Sequence, residues 1–121
     1  MKTIYVIHPF GGDPENTKEI GELCRDLINM GYMPISSVHC YSYLDDHNQG
    51  ERAIAMEFCE ELISLCDEAV VCGDWVNSDG CREDLAVAIQ LNKPVKTFSF
   101  CREDLDDLIP AKEVAGEEDE P

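Results

Sequence analysis

Short apolar runs alternating with amphipathic helical stretches predict an α/β protein: a three-layer sandwich around a parallel, Rossmann- or flavodoxin-like sheet of four to five strands. Two observations carry this. The runs "TIYVIH", "EAVVCG" and "PVKTFSF" are short and rich in β-branched or aromatic residues, as strands buried on both faces are. The stretches between them repeat apolar residues at helical spacing. With 121 residues there is enough chain for one core and too little for two.

In order along the chain, "TIYVIH" (3 to 8) is read as the first strand, ended by "PFGGDP". A helix follows from about Glu15 to Met30, with a stripe of Ile20, Leu23, Cys24, Leu27 and Ile28 and with Gly31 just past its end. "YMPISSV" (32 to 38) is a weaker strand, and "HCYSYLDDHNQGER" an irregular segment long enough to hold function. The next helix, from about Gly50 to Cys66, carries Ala55, Phe58, Cys59, Leu62, Leu65 and Cys66 on its apolar stripe. "EAVVCG" (68 to 73) is a strand, "DWVNSDG" a loop, residues 79 to 92 a helix and 94 to 100 a strand. The domain is placed at 1–110, and 111–121 is read as an acidic, disordered tail because "KEVAGEEDEP" has few apolar groups.

Charge excludes one class of partner. Nine basic against twenty-six acidic residues give a net charge of −17, which repels a phosphate backbone, so no direct nucleic-acid binding is expected. No segment reaches the roughly 18 apolar residues of a membrane span, so no membrane partner is expected either. The seven cysteines form no C-x-x-C pair and no Cys/His ligand spacing. They are read as reduced, mostly buried thiols of a cytoplasmic protein, consistent with an N-terminus that lacks a long apolar leader core.

In open α/β sheets ligands bind beyond the carboxyl ends of the strands. Those ends are residues 8–13, 38–48 and 73–80, so His8, Phe10 and Gly11 fall at the mouth together with Trp75, Ser78 and Gly80. "HPFGGDP" is neither G-x-G-x-x-G nor a Walker loop, and no cofactor or metal site is implied. At 100° per residue, with Cys81 at zero, Asp84 falls at about 300°, inside a buried arc containing Leu85, Ala88, Ile89 and Leu91. Glu83 falls at about 200°, toward solvent, where it complements the positive helix end. An inward carboxylate is costly unless bonded. Asp84 is therefore either tied to loop amides, Arg52 or Arg82, or functional. Gly80 is read as a turn residue of positive φ. Arg52 stands at a helix start against the dipole, which calls for a partner such as Asp45 or a ligand phosphate. Asp45, Asp46 and His47 either line a sugar or metal site or are solvated, and Trp75 either stacks on a base or packs.

"KTIYVIHPF" and "DEAVVCGDWVNSDGCREDLAVAIQLNKPV" together resemble the nucleoside 2-deoxyribosyltransferase-like superfamily. "MPISSVHCYSYLDDHNQGER" is more similar still to a phage and bacterial branch of it, over about residues 2 to 98. The resemblance implies a carboxylate nucleophile that attacks the anomeric carbon of a deoxynucleoside. The family position falls on Asp84, where the family has Glu; Asp is one methylene shorter and pulls the carboxylate back by about 1.5 Å. Either the backbone compensates, or Glu83 swings in as a substitute, or catalysis is lost. Tyr5 matches the family's tyrosine near the nucleophile, His39 matches the branch's histidine, and Ser78 stands where enzymatic members often carry an Asp that handles the base. The resemblance also implies a homo-oligomer, since enzymatic members complete the pocket from a neighbouring subunit.

The activity expected is N-glycosidic cleavage of, or deoxyribosyl transfer from, a nucleoside or nucleotide. The alternatives are a nucleotide-binding protein without turnover, favoured by the Asp-for-Glu change and Ser78, and an acidic interaction protein.

Overall fold

The computed structural model describes residues 1–111; the sequence "KEVAGEEDEP" of the expected tail lies outside the described residues. Ten segments alternate as β1 (Lys2–Ile7), α1 (Pro14–Asn29), β2 (Tyr32–Ile35), α2 (Ser37–Cys40), α3 (Gln49–Leu65), β3 (Glu68–Val71), a single 3-10 turn (Trp75–Asn77), α4 (Asp79–Gln90), β4 (Val95–Phe98) and β5 (Leu105–Ile109). The five strands form one sheet in the order β2-β1-β3-β4-β5. β1 to β4 run parallel, and β5 closes the far edge antiparallel to β4. The expected three-layer α/β architecture is present.

Side chains on β1 point alternately to the two faces. Ile4 and Val6 pack with Val70 and Cys72 of the β3 segment under Ile20, Leu23 and Leu27 of α1. Tyr5 and Ile7 pack on the opposite face with Ile63 of α3, Cys81 and Ala88 of α4, and Val95. The polar chemistry described below grows from this second face, because that is where a tyrosine replaces an aliphatic residue on the central strand.

Strand order reverses between β1 and β3, whose carboxyl ends flank a crevice of the kind where α/β proteins bind ligands. Helix caps set its rim. Asp13 accepts from the Glu15 amide at the start of α1, Ser36 from the His39 amide at α2, Asn48 from the Glu51 amide at α3, and Ser78 from the Cys81 amide at α4. Gly31, at φ +93°, terminates α1 as expected. Two glycines permit close approach. A Cβ on Gly12 (φ +74°) would stand 2.9 Å from His47 Nε2, and one on Gly73 (φ +62°) 2.9 Å from His8 Nε2.

Several sequence expectations are corrected. β5, "LDDLI", was not located: three apolar residues interrupted by acids give little strand signal, and the edge position tolerates it. β2 stops at Ile35, and the next residues form the helical turn α2, inside what was expected to be strand and loop. Ile28, Leu65, Ile89 and Leu91 are exposed, whereas Ile63 is the buried residue of α3. The cysteines are not mostly buried: Cys66, Cys72 and Cys81 are, Cys24 and Cys59 are half-buried, and Cys40 and Cys101 are exposed. Gly80 does not have positive φ. Ser78 caps the helix one residue earlier than a turn at Gly80 requires, so Gly80 lies in the first turn of α4.

Candidate active site

A cavity of about 630 Å³ opens between the β1–α1 loop, the segment from Ser37 to Arg52, α3 and the first two turns of α4. Its size falls within the roughly 300–1,000 Å³ of small-molecule pockets. Asp84, Ser37 and Cys59 reach it from three different elements. Beneath them lies Tyr5, fully buried on β1.

The Tyr5 hydroxyl is 3.2 Å from Asp84 Oδ2 and 3.1 Å from Ser37 Oγ. A phenol has one proton. When Asp84 is ionised, Tyr5 donates to its Oδ2 and accepts from the Ser37 hydroxyl. Burial raises the Asp84 carboxyl to about 6; the Tyr5 hydrogen bond opposes the rise, and the charges of Glu83 and Glu60 add to it. Burial, then the Asp84 charge, raises Tyr5 well above the usual phenol value, so it remains a donor at neutral pH. The result is a carboxylate that is mostly desolvated, held by one neutral donor, and open to the cavity.

The inward angle read for Asp84 is observed, but its partner is Tyr5 and not a loop amide, Arg52 or Arg82. Arg82 instead turns outward to the Val76 carbonyl, at 2.7 Å, and to Asp79. Glu83 is exposed yet lines the cavity rim, next to the floor and not on it. Arg52 has the expected carboxylate partner, but it is Asp46, at 3.3 Å, and both line the cavity. Asp45 is turned into its own loop, where its carboxylate accepts from the His47 amide at 2.9 Å. His8, Phe10, Gly11 and Gly80 also line the cavity. The His8 ring is fixed there by the Pro9 carbonyl (2.7 Å) and Glu19 (3.1 Å).

Three expected site residues are not in the cavity wall. His39 projects toward the Gly21 side of α1, with Nδ1 2.9 Å from Ser36 Oγ, because α2 turns its side chain away from the crevice. Trp75 packs against the core and borders a separate depression formed with Glu19, Phe98 and Arg102. The Ser78 hydroxyl is occupied as the cap of α4. Conversely, Ser37, Cys59 and Glu60 were not singled out from the sequence. A serine two residues past a strand and a cysteine on a helix stripe carry no pattern; only their meeting at Tyr5 distinguishes them.

Among the described residues no group of acidic, histidine or cysteine side chains is arranged to hold a metal ion, and no helix is long and apolar enough to cross a membrane.

No curated protein matches the chain. Among solved structures it is similar to a 2-deoxyribosyltransferase from the psychrotolerant bacterium Bacillus psychrosaccharolyticus, with a TM-score of 0.64 and 23% identity. The likeness covers 80% of this chain and 72% of the other. At that identity it establishes the fold. A family model described as Domain of unknown function (DUF7768) matches residues 2–98, most of the chain and every element that builds the cavity, and the protein therefore belongs to the DUF7768 family.

Proposed function

We propose that the protein cleaves the N-glycosidic bond of a nucleoside or nucleotide, or transfers its deoxyribosyl group to a second base, with Asp84 as the nucleophile. The observation that supports this reading most is the Asp84 carboxylate at the cavity floor, desolvated and held 3.2 Å from the Tyr5 hydroxyl. Its fold relative is a 2-deoxyribosyltransferase, which agrees with the reaction class.

The step is nucleophilic covalent catalysis. An Asp84 oxygen bonds to the anomeric carbon as the carbon–nitrogen bond breaks. The base departs with the bonding electron pair and takes up a proton from solvent water, which the incoming water or second base returns when it attacks. Water, or the nitrogen of a second base, then attacks the opposite face and expels the carboxylate, giving retention through two inversions as in retaining glycosidases. With a pKa of about 6, roughly nine tenths of Asp84 is ionised at pH 7, as attack requires. Tyr5 holds the carboxylate by one oxygen, which leaves the other for attack.

A second reading, ligand binding without turnover, is favoured by Ser78, whose hydroxyl is committed to the α4 cap outside the cavity. One assay separates the two: nucleosides, deoxynucleosides and their monophosphates are incubated with protein and analysed for free base and for exchange of a labelled base. The proposed activity gives base release that Asp84→Ala lowers by about 10⁴-fold or more, as loss of a nucleophile does. Saturable binding with every ligand recovered intact would exclude it.

A further inference from the structure

We infer that Ser37 is a positioning residue: its hydroxyl fixes the direction of the Tyr5 proton and, through Tyr5, holds the Asp84 carboxylate in place. Three oxygens from three elements stand in a row, Ser37 Oγ of α2, Tyr5 Oη of β1 and Asp84 Oδ2 of α4, at 3.1 Å and 3.2 Å. The middle oxygen has one proton, so the two bonds share a direction. With Asp84 ionised, Ser37 donates to Tyr5 and Tyr5 to Asp84. With Asp84 neutral, whether protonated or esterified, Tyr5 is free to donate back to Ser37. Ser37 thus offers Tyr5 a donor in one state and an acceptor in the other, and neither state strands a buried hydroxyl, which would be costly.

The groups facing this chain make the role specific. α3 contributes Cys59, beside Tyr5 and Ser37, and the Glu60 carboxylate; α4 contributes Cys81 and Glu83. None of them is cationic; of the cations lining the same cavity, Arg52 is paired with Asp46, and neither it nor Lys18 is among the charges that shift Asp84; a thiol is a weak donor. The hydroxyl chain is therefore the main stabiliser of negative charge on Asp84. A bond that polarises the next one strengthens it by about 10–30%, and the ionised form gains more because its bond is charge-assisted. Ser37 lies in the cavity wall, at the first residue of a helical turn whose own cap is Ser36, so its hydroxyl is not required to start the turn.

The link to catalysis rests on the reading of Asp84 as nucleophile; the hydrogen-bond chain does not. The experiment is a carbon-13 NMR titration of the Asp84 carboxyl in the wild type, Ser37→Ala, Tyr5→Phe and the double variant, with base release followed over the same pH range. Tyr5→Phe raises the midpoint by about 1–2 pH units, the loss of a hydrogen bond to a charged group. Ser37→Ala raises it by about a few tenths of a unit, and adds nothing in the Tyr5→Phe background, the non-additivity of residues acting through one another. Ser37→Thr restores the wild-type value, and Ser37→Cys moves it in the same direction as Ala should the alanine variant not fold. An unchanged midpoint in Ser37→Ala, or an equal rise with and without the Tyr5 hydroxyl, overturns the inference. If the midpoints move as stated while no nucleoside is turned over, the chain stands and the glycosidic reading fails.

Discussion

The floor and the rim of the cavity both place a carboxylate against a donor, with opposite physical consequences. On the rim, Asp46 meets Arg52 at 3.3 Å, both side chains partly open to water, in a loop held by its own turn. On the floor, the one hydrogen-bond donor to Asp84 is the neutral Tyr5 hydroxyl, between two helices and a central strand. Solvent screens the rim pair and makes its net contribution small. On the floor, burial without a cation raises the carboxyl to about 6 and makes its charge costly to the fold. Acid residues are abundant in this chain; what distinguishes Asp84 is its surroundings, and strain of this kind is characteristic of sites where function opposes stability.

Stability measurements distinguish floor from rim. The largest effect is expected at the floor. A carboxyl raised from its ordinary 3.8 to about 6 in the folded state binds its proton more tightly there than in the unfolded chain. Stability associated with it is fully present below pH 3.8 and is lost as pH rises through 6. At about 1.36 kcal/mol per pH unit, the cost above pH 6 is up to about 3 kcal/mol. Asp84→Asn, which keeps the shape and removes the charge, is therefore expected to match the wild type near pH 4 and exceed it increasingly up to pH 7 in urea unfolding. A pH-independent difference would mean that Asp84 is not desolvated.

At the rim the effect is small. Arg52→Ala is expected to cost about 0.2–1 kcal/mol, less at high salt. A loss above about 2 kcal/mol, insensitive to salt, would show that the rim pair is as shielded as the floor and would remove the contrast.

The floor was partly legible in the sequence, because a helix of known start fixes the angle of each side chain: Asp84 inward and Glu83 outward follow from the 3.6-residue period alone. The same period misplaced Ile89 and Leu91. The buried arc of α4 is centred between Asp84 and Cys81, and periodicity weighs apolar residues while a buried acid counts against itself. On α3 the expected stripe includes Leu65, which is exposed, and omits Ile63, which packs with Ala69 and Val71 of β3. β5 was hidden by the acids on its exposed face, and α2 by its length of four residues. Of the groups around Asp84, only Tyr5 is indicated beforehand, and by the family resemblance, not by periodicity or spacing; Ser37 and Cys59 are not. Tyr5, Ser37 and Cys59 are distant in sequence, and only the parallel pairing of β1 with β2, together with the packing of α3 and α4 on the same face, brings them to one carboxylate.

The central claim is that Asp84 forms a bond to a sugar. Its most direct test is to mix the protein with deoxynucleosides and their monophosphates, quench in acid, and map any deoxyribosyl adduct by peptide mass spectrometry. The account predicts an adduct on Asp84 that disappears in Asp84→Ala and is discharged by added free base. Base release with an adduct on Glu83 instead, or release undiminished in Asp84→Ala, would contradict it.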